Sequence, residues 1–207
     1  HIDKVKESLF DLIEKWLERI PFIKTKDFDF WEKYRSSVEE MLQHEEEIIK
    51  SNQTLTEEKR QTQLENFTKT REGFLSLFDE NYHNELISKG EKRLSFKATL
   101  SALFINLYRD EPILFTPFQF LTAIVEMDEN FTIWRYRHAI MVHRMIGVKI
   151  GTGGSSGQHY LMATIEKHRV FVDLFNLSTY LIPRSELPQL PKDILKELGF
   201  YYDTSIK

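Results

Sequence analysis

The chain has 207 residues, contains no cysteine and carries a formal net charge of −4 at pH 7. This length can bury a sizeable core in one large or two small domains, and the absence of cysteine excludes disulfides and thiolate ligands. The mildly acidic balance gives no electrostatic case for binding nucleic acid or an anionic membrane. No apolar run of 18 residues and no signal peptide are recognisable, so we expect a cytoplasmic protein.

Hydrophobic periodicity predicts three helices in the first 80 residues. Residues 4–19 place their apolar side chains on one face of a helix. Helix-capping patterns open two further helices, over about 29–50 and about 54–78, and the short polar link between them predicts an antiparallel hairpin. We therefore predict an N-terminal helical segment, residues 1–22, followed by a hairpin excursion, residues 23–92. The sparse apolar spacing in the hairpin indicates a protruding appendage.

The next two segments have contrasting compositions. Residues 80–93 are rich in polar side chains and predict a connector, with His83 at the surface. Residues 94–108 repeat apolar and small side chains at helical spacing, which is typical of a buried helix with close neighbours. Thr116 and Pro117 then supply a cap and a first-turn proline, which predict a helix over 118–127 that residues 128–130 end.

The following helix has one apolar face that carries a single imidazole. At 100° per residue this face presents four side chains: Trp134, His138, Met141 and Met145. His143 lies on the far side, so the paired-histidine spacing of a zinc site is absent. A lone histidine on an apolar face is usually a core residue, but an apolar wall bordered by arginines also suits one axial ligand of a haem. Both interpretations stay open from periodicity alone.

Residues 151–157, GTGGSSG, form the most glycine-rich stretch and contain four of the eight glycines. A P-loop would end in Gly-Lys-[Ser/Thr], but Gln158 follows, and a dinucleotide fingerprint would need glycine at position 156 and a preceding strand. Two interpretations remain. The segment is either a flexible linker capped by Ser156 or a substrate lid in which Thr152 offers its hydroxyl and amide.

The remainder of the chain is predicted to be helical as well. Residues 158–167 and 170–175 are assigned to helices, the second because no partner strand exists elsewhere, and a last short helix covers 194–198. The fold class is therefore all-α, a helical bundle with a protruding antiparallel helical hairpin. We predict a functional core over 93–185, which includes the glycine-rich segment, and a C-terminal tail over 186–207.

Several of these segments together resemble one known family, the tryptophan 2,3-dioxygenases. The most specific match is WRYRHAIMVHRMIGVKIGTGGSSG, residues 134–157. Supporting matches are VFVDLFNLSTYLIPR at 170–184, EKWLER at 14–19, LSLFDE at 75–80 and LISKGEKRL at 86–94. The likeness covers nearly the whole chain and fades after about Pro188. The family consists of haem enzymes that open the indole ring of L-tryptophan with O2 to give N-formylkynurenine, the first step of tryptophan catabolism by the kynurenine pathway.

The resemblance implies roles for particular residues. His138 corresponds to the axial ligand of a non-covalent haem b, and Trp134, one turn earlier, to a neighbour that orients the imidazole. The helix predicted over 158–167 could in addition pack Tyr160 near the haem edge. Substrate contacts are implied for three positions of the glycine-rich segment: Gly151, Thr152 and Gly153. O2 is the implied co-substrate, and no catalytic side chain other than the haem ligand is expected in this chain.

The resemblance also has a gap. Nothing in residues 2–19 matches the N-terminal elements with which the family supplies a distal histidine and an arginine for the substrate carboxylate. We therefore expect this chain to be the C-terminal portion of such an enzyme, working with an N-terminal portion as companion chain in a homotetramer, a dimer of dimers. Two alternatives remain, a haem-binding sensor or carrier without turnover and a helical scaffold in which His138 is a core residue.

Overall fold

In the computed structural model of the protein, the residues described are 7–20, 28–147, 165 and 167–199. They form helices joined by irregular segments, with no β-strand among them, so the predicted all-α class is confirmed. The helices are α1 (Leu9–Leu17), α2 (Phe30–Ser51), α3 (Glu57–Ser76), α4 (Glu80–Ser88), α5 (Phe96–Leu107), α6 (Pro112–Ile146), α7 (Val172–Asn176) and α8 (Lys192–Gly199). Two short 3₁₀ turns, Leu177–Tyr180 and Arg184–Glu186, lie between α7 and α8. No described helix has the length and apolar content that a membrane span requires.

The first five helices begin at polar caps. At each start a side-chain oxygen accepts a hydrogen bond from a backbone N–H of the first turn, which satisfies a donor that has no partner inside the helix. The capping residues are Ser8, Asp29, Thr56, Asp79 and Ser95. The predicted start of α2 agrees with this local chemistry, whereas α3, predicted from about residue 54, has its cap at Thr56.

The predicted hairpin is confirmed, and its base contributes to the core. The helices α2 and α3 pack against each other, and the Arg71 guanidinium lies 3.3 Å from the Glu46 carboxylate across the pair. The first half of α2 buries four side chains that are at most 1% exposed: Phe30, Tyr34, Val38 and Leu42. The hairpin is therefore a polar projection at its tip and part of the hydrophobic core at its base.

The helix α5 forms the centre of this core. Every residue from Ala98 to Ile105 is buried, and α5 packs against α1, α4, α6 and α7. The Phe104 ring contacts the rings of Phe30 and Tyr108, with centroids 4.9 and 5.1 Å away. Small side chains on α5 allow its neighbours to approach closely, as the sequence predicted.

The predicted break between two helices at residues 128–130 is wrong. A single helix, α6, runs for 35 residues from Pro112, which occupies its first turn. Pro117 lies inside α6 near the beginning, so only the bond to the Ile113 carbonyl is lost. The acidic residue at position 128 does not end the helix, because its side chain binds a distant segment of the chain rather than its own backbone.

The predicted connector over 80–93, with His83 at the surface, is also wrong. Residues 80–88 form α4, and His83 is 2% exposed. Its Nε2 lies 2.9 Å from the Leu94 carbonyl oxygen, and its ring packs edge-on against Phe96 with centroids 5.4 Å apart. Composition alone missed this element because its buried position is occupied by a polar ring.

The C-terminal helices were predicted in the correct places. The helix α7 confirms the helical assignment of 170–175, and α8 extends the predicted 194–198 helix at both ends. The predicted helix over 158–167 lies outside the described residues apart from positions 165 and 167.

Candidate functional site

The candidate site is built on the second half of α6. The rings of Trp134 and His138 are stacked, with centroids 5.6 Å apart and planes 10° from parallel. Residues four apart on a helix lie on the same face, so this contact follows directly from the spacing of the two side chains. The stacked indole restricts the orientations available to the imidazole.

The apolar side chains on this face are exposed in the described part of the chain. Trp134 is 62% exposed, Met141 50% and Met145 75%, while His138 is partly exposed. The imidazole is thus partly accessible, and its role as a haem ligand or as a core residue stays a prediction.

Three arginines lie on this half of α6. The Arg135 guanidinium lies over the Phe131 ring, 6.0 Å from its centroid, and its Nη1 is buried without a hydrogen-bond partner. Arg137 and Arg144 are exposed on the same helix. The second half of α6 therefore presents an apolar face with cationic groups beside it.

Gly147 ends α6 directly after this face. Its φ is +63°, a conformation that glycine adopts without the steric cost that a Cβ brings, and its N–H donates to the His143 carbonyl at 2.8 Å. The remaining predicted site residues, Gly151, Thr152, Gly153 and Tyr160, lie outside the described residues.

Comparison with known proteins decides the family. The family model described as tryptophan 2,3-dioxygenase matches residues 2–181. The chain belongs to the tryptophan 2,3-dioxygenase family. The protein named tryptophan 2,3-dioxygenase of Alteromonas mediterranea is 48% identical to it over 196 residues, which are 95% of this chain and 54% of that relative.

Relatives of the same name occur in distant organisms. The one from Dictyostelium discoideum is 48% identical over 93% of this chain and 48% of its own length, and the one from Mus musculus is 46% identical over 97% of this chain and 50% of its own length. The chain therefore spans about half the length of the curated relatives it matches. Its family is established by these matches, whereas they do not describe which residues bind cofactor or substrate.

Among its described residues, this dioxygenase-family chain has one buried carboxylate that sequence analysis missed, on the same helix as His138. Asp128 on α6 is 4% exposed and accepts hydrogen bonds from the backbone N–H groups of Val170, at 3.0 and 3.1 Å, and Phe171, at 3.1 Å. The available signal was its register, because Leu121 and Ile124 precede it on the same buried face. An acid at such a position requires a polar partner from elsewhere in the fold.

A second carboxylate continues the same pattern. Asp173 on α7 accepts from the backbone N–H groups of Arg93 and Leu94, both at 2.7 Å. The Glu14 carboxylate on α1 accepts from the backbone N–H of Ser95 at 2.8 Å. Carboxylates on α1, α6 and α7 thus bind the irregular segments that precede α5 and α7, which connects the helix bearing His138 to the core.

The described residues hold no cluster of three or more side chains with the composition of a metal site. A haem needs a different arrangement, since its iron is held by the porphyrin and only an axial ligand comes from the protein. One partly exposed imidazole on an apolar helix face meets that requirement.

Proposed function

We propose that this chain supplies the axial haem ligand of a haem-dependent dioxygenase that opens the indole ring of L-tryptophan with O2 to give N-formylkynurenine. The observation that carries the proposal is the stacked pair Trp134 and His138 on an apolar, exposed face of α6. Family membership supports the same activity, because the named relatives are tryptophan 2,3-dioxygenases. The absence of cysteine suits a reducing compartment such as the cytoplasm.

The proposed cofactor is a non-covalent haem b with His138 as its axial ligand. His138 would hold this group, and a haem held by a single imidazole would supply the activation of O2. Trp134 holds the imidazole plane by stacking, and Met141 and Met145 extend an apolar wall along the same face. We assign Tyr160 to the edge of the cofactor because the helix expected over 158–167 would pack it there.

We assign substrate binding to Thr152 and its neighbours Gly151 and Gly153. A threonine hydroxyl and the adjacent backbone N–H groups are suitable partners for the ammonium and carboxylate groups of L-tryptophan. Glycines let a backbone approach a ligand closely because they carry no side chain. The role of this chain is then to orient the amino-acid end of the substrate and to exclude water from the indole ring.

We also propose that this chain works with an N-terminal portion of the same enzyme as a companion chain, in a homotetramer that is a dimer of dimers. The second half of α6 exposes apolar side chains on several sides, including Phe131, Ile133, Tyr136 and Ile140. Contiguous exposed apolar side chains of this kind normally mark a surface that another protein covers. The chain also spans only about half the length of its relatives, which leaves enough sequence in them to provide such a cover.

Haem binding by His138 can be tested with a matched pair of histidine variants. The chain, mixed with its companion portion and hemin, should develop a Soret band that His138→Ala abolishes. His143→Ala is the control, because His143 lies on the same helix but is exposed on another face. Equal Soret bands in both variants would reject His138 as the ligand. Formation of N-formylkynurenine only when the companion portion is present would separate the enzyme from a haem-binding sensor.

The substrate role of Thr152 has a separate test. Thr152→Ala should weaken L-tryptophan binding by about 1–2 kcal/mol, the order expected for the loss of one hydrogen bond, while the haem content stays unchanged. Titration of the haem-loaded enzyme with tryptophan, followed by absorbance, measures both quantities. Loss of haem in this variant would show that the glycine-rich segment is structural.

A further inference from the structure

Lys92 lies between α4 and α5, where its side chain contacts the buried imidazole of His83. The Lys92 Nζ is 3.4 Å from the His83 Nδ1, and the other ring nitrogen, Nε2, is 2.9 Å from the Leu94 carbonyl oxygen. A carbonyl oxygen can only accept a hydrogen bond, so the hydrogen-bond network assigns the ring proton to Nε2. Nδ1 of the neutral ring therefore presents its lone pair to Lys92.

This partner distinguishes Lys92 from the lysines that face carboxylates. Three lysines are held in ion pairs with glutamates: Lys15, Lys50 and Lys89. Lys89 is only three residues from Lys92, and its Nζ lies 2.6 Å from the Glu85 carboxylate. An ion pair stabilises the ammonium form of a lysine, whereas an unprotonated imidazole nitrogen can take the proton from it.

The surroundings of the two neighbouring lysines act on their protonation in opposite directions. The hydrogen bond to Glu85 raises the pKa of Lys89 above its ordinary value of 10.5. Burial lowers the pKa of Lys92, and the Asp173 carboxylate, which accepts from two backbone N–H groups, opposes this shift. Lys92 therefore has a larger share of its uncharged, nucleophilic form near neutral pH than Lys89 has.

The Lys92 amine is also within reach of a small reagent in solution. Lys92 is half-buried, and the exposed side chains of Lys89 and Arg93 flank it in sequence. Positive charges at these positions attract an anionic reagent. Exposure alone would favour reaction at Lys89, whose side chain is 51% exposed, so the order of reactivity separates accessibility from the effect of His83.

We propose that Lys92 is a site of covalent acylation by small acyl phosphates, with His83 as the base that receives its proton. The uncharged Nζ attacks the carbonyl carbon of the acyl phosphate, a C–N bond forms, and the C–O bond to phosphate breaks with its electron pair leaving on the phosphate. The proton lost by the nitrogen passes to Nδ1 of His83 and then to the departing phosphate. The product is an uncharged amide, so acylation removes the positive charge beside His83.

The test uses acetyl phosphate as the probe and Lys89 as a control within the same molecule. The full chain is incubated with acetyl phosphate at neutral pH, and mass spectrometry of its peptides follows the rate of acetylation at Lys89 and at Lys92. The same measurement is made on the wild-type chain unfolded in urea, where the contact with His83 is lost. It is also made on folded His83→Gln, which keeps a donor for the Leu94 carbonyl but has no basic ring nitrogen.

In the folded chain Lys92 should be acetylated about tenfold faster than Lys89, and in urea the two rates should be about equal. His83→Gln should lower the ratio of the two rates at least about threefold. If this variant does not fold, the comparison between folded and unfolded wild type decides. Equal rates at the two lysines in the folded chain, or a ratio that persists in urea or in folded His83→Gln, would overturn the proposal. Neither outcome bears on haem or tryptophan binding, which use other residues.

Discussion

Two helices of this protein carry many large apolar side chains but have opposite surroundings. The helix α5 is buried from Ala98 to Ile105, whereas the second half of α6 exposes its large apolar side chains, including Trp134 at 62% and Met145 at 75%. Both sequences have the character of helices that are covered in the native protein. Only α5 finds its cover within the described part of this chain.

Because of this difference in burial, we expect α5 to contribute to the stability of the chain and the second half of α6 to contribute to binding. Side chains on α5 contribute to the folding of the chain itself because their neighbours are supplied by α1, α4, α6 and α7. Side chains on the second half of α6 gain little from folding and most from what later covers them, which we propose to be haem, substrate and companion protein. Substitutions in the two helices should therefore affect different measurements.

The largest expected effect is on the stability of the core helix. Phe104→Ala should lower the free energy of unfolding by about 3–5 kcal/mol, since it removes a fully buried ring that packs on Phe30 and Tyr108. Phe131→Ala on α6 is the matched control and should change it by less than about 0.5 kcal/mol, because Phe131 is 51% exposed. Urea denaturation of this chain alone measures both. Similar losses in the two variants would remove the contrast between the helices.

A smaller effect is expected for a pair of tyrosines. The Tyr108 hydroxyl donates to the Pro188 carbonyl at 2.6 Å, and burial raises the pKa of this phenol above its ordinary range. Tyr108→Phe leaves that carbonyl without its partner and should lower the free energy of unfolding by about 1 kcal/mol. Tyr136→Phe should leave it nearly unchanged, as Tyr136 is 47% exposed. A cost at Tyr136 that equals the cost at Tyr108 would contradict this account.

Local features of the fold were predictable from sequence, and long-range ones were not. Caps at Asp29 and Thr56 depend on neighbours within three residues, so the hairpin was found at close to its observed bounds. The continuity of α6 through Asp128 depends on amides 42 residues away, and the burial of His83 depends on the Leu94 carbonyl. For this reason His83 was assigned to the surface and Asp128 to a break between two helices.

In the candidate site too, local features were predictable from sequence and long-range ones were not. The juxtaposition of Trp134 and His138 follows from helical spacing, and the structure has it as a stacked pair. The exposure of that pair could not be predicted, because sequence periodicity cannot distinguish an apolar face that is packed from one that is uncovered. The substrate contacts assigned to Thr152, Gly151 and Gly153 stay predictions.

His83, which is buried in the core, should make the free energy of unfolding depend on pH. Burial lowers the pKa of this imidazole below its ordinary value of 6.5, and the nearby Lys92 ammonium, 3.4 Å from Nδ1, acts in the same direction. The hydrogen bond to Leu94 and the carboxylates of Asp173 and Glu80 oppose the shift. The net result is that the folded state prefers the neutral ring more strongly than the unfolded state does.

Because the unfolded chain then binds more protons, stability should fall as the pH drops below about 6.5 and level off once the folded state also takes up the proton. His83→Gln keeps a donor for the Leu94 carbonyl but cannot titrate, so it should lose less stability over the same interval. Denaturant unfolding between about pH 5 and pH 8 measures the difference. Parallel pH profiles for wild type and variant would show that other groups dominate.

The smallest effect on stability is expected at Ile140, where the effect on assembly should be large. Ile140 is 37% exposed and lies on the side of α6 opposite His138, so Ile140→Gln should change the free energy of unfolding by less than about 0.5 kcal/mol. A polar side chain there should weaken association with the companion portion while haem uptake by the residual complex is retained. Met145→Gln, on the face of His138, should instead reduce haem uptake and leave association with the companion portion nearly unchanged. Sedimentation velocity measures the association, and the Soret band measures haem uptake. If both variants reduce the same one of these two properties, the two faces of α6 do not bind different partners.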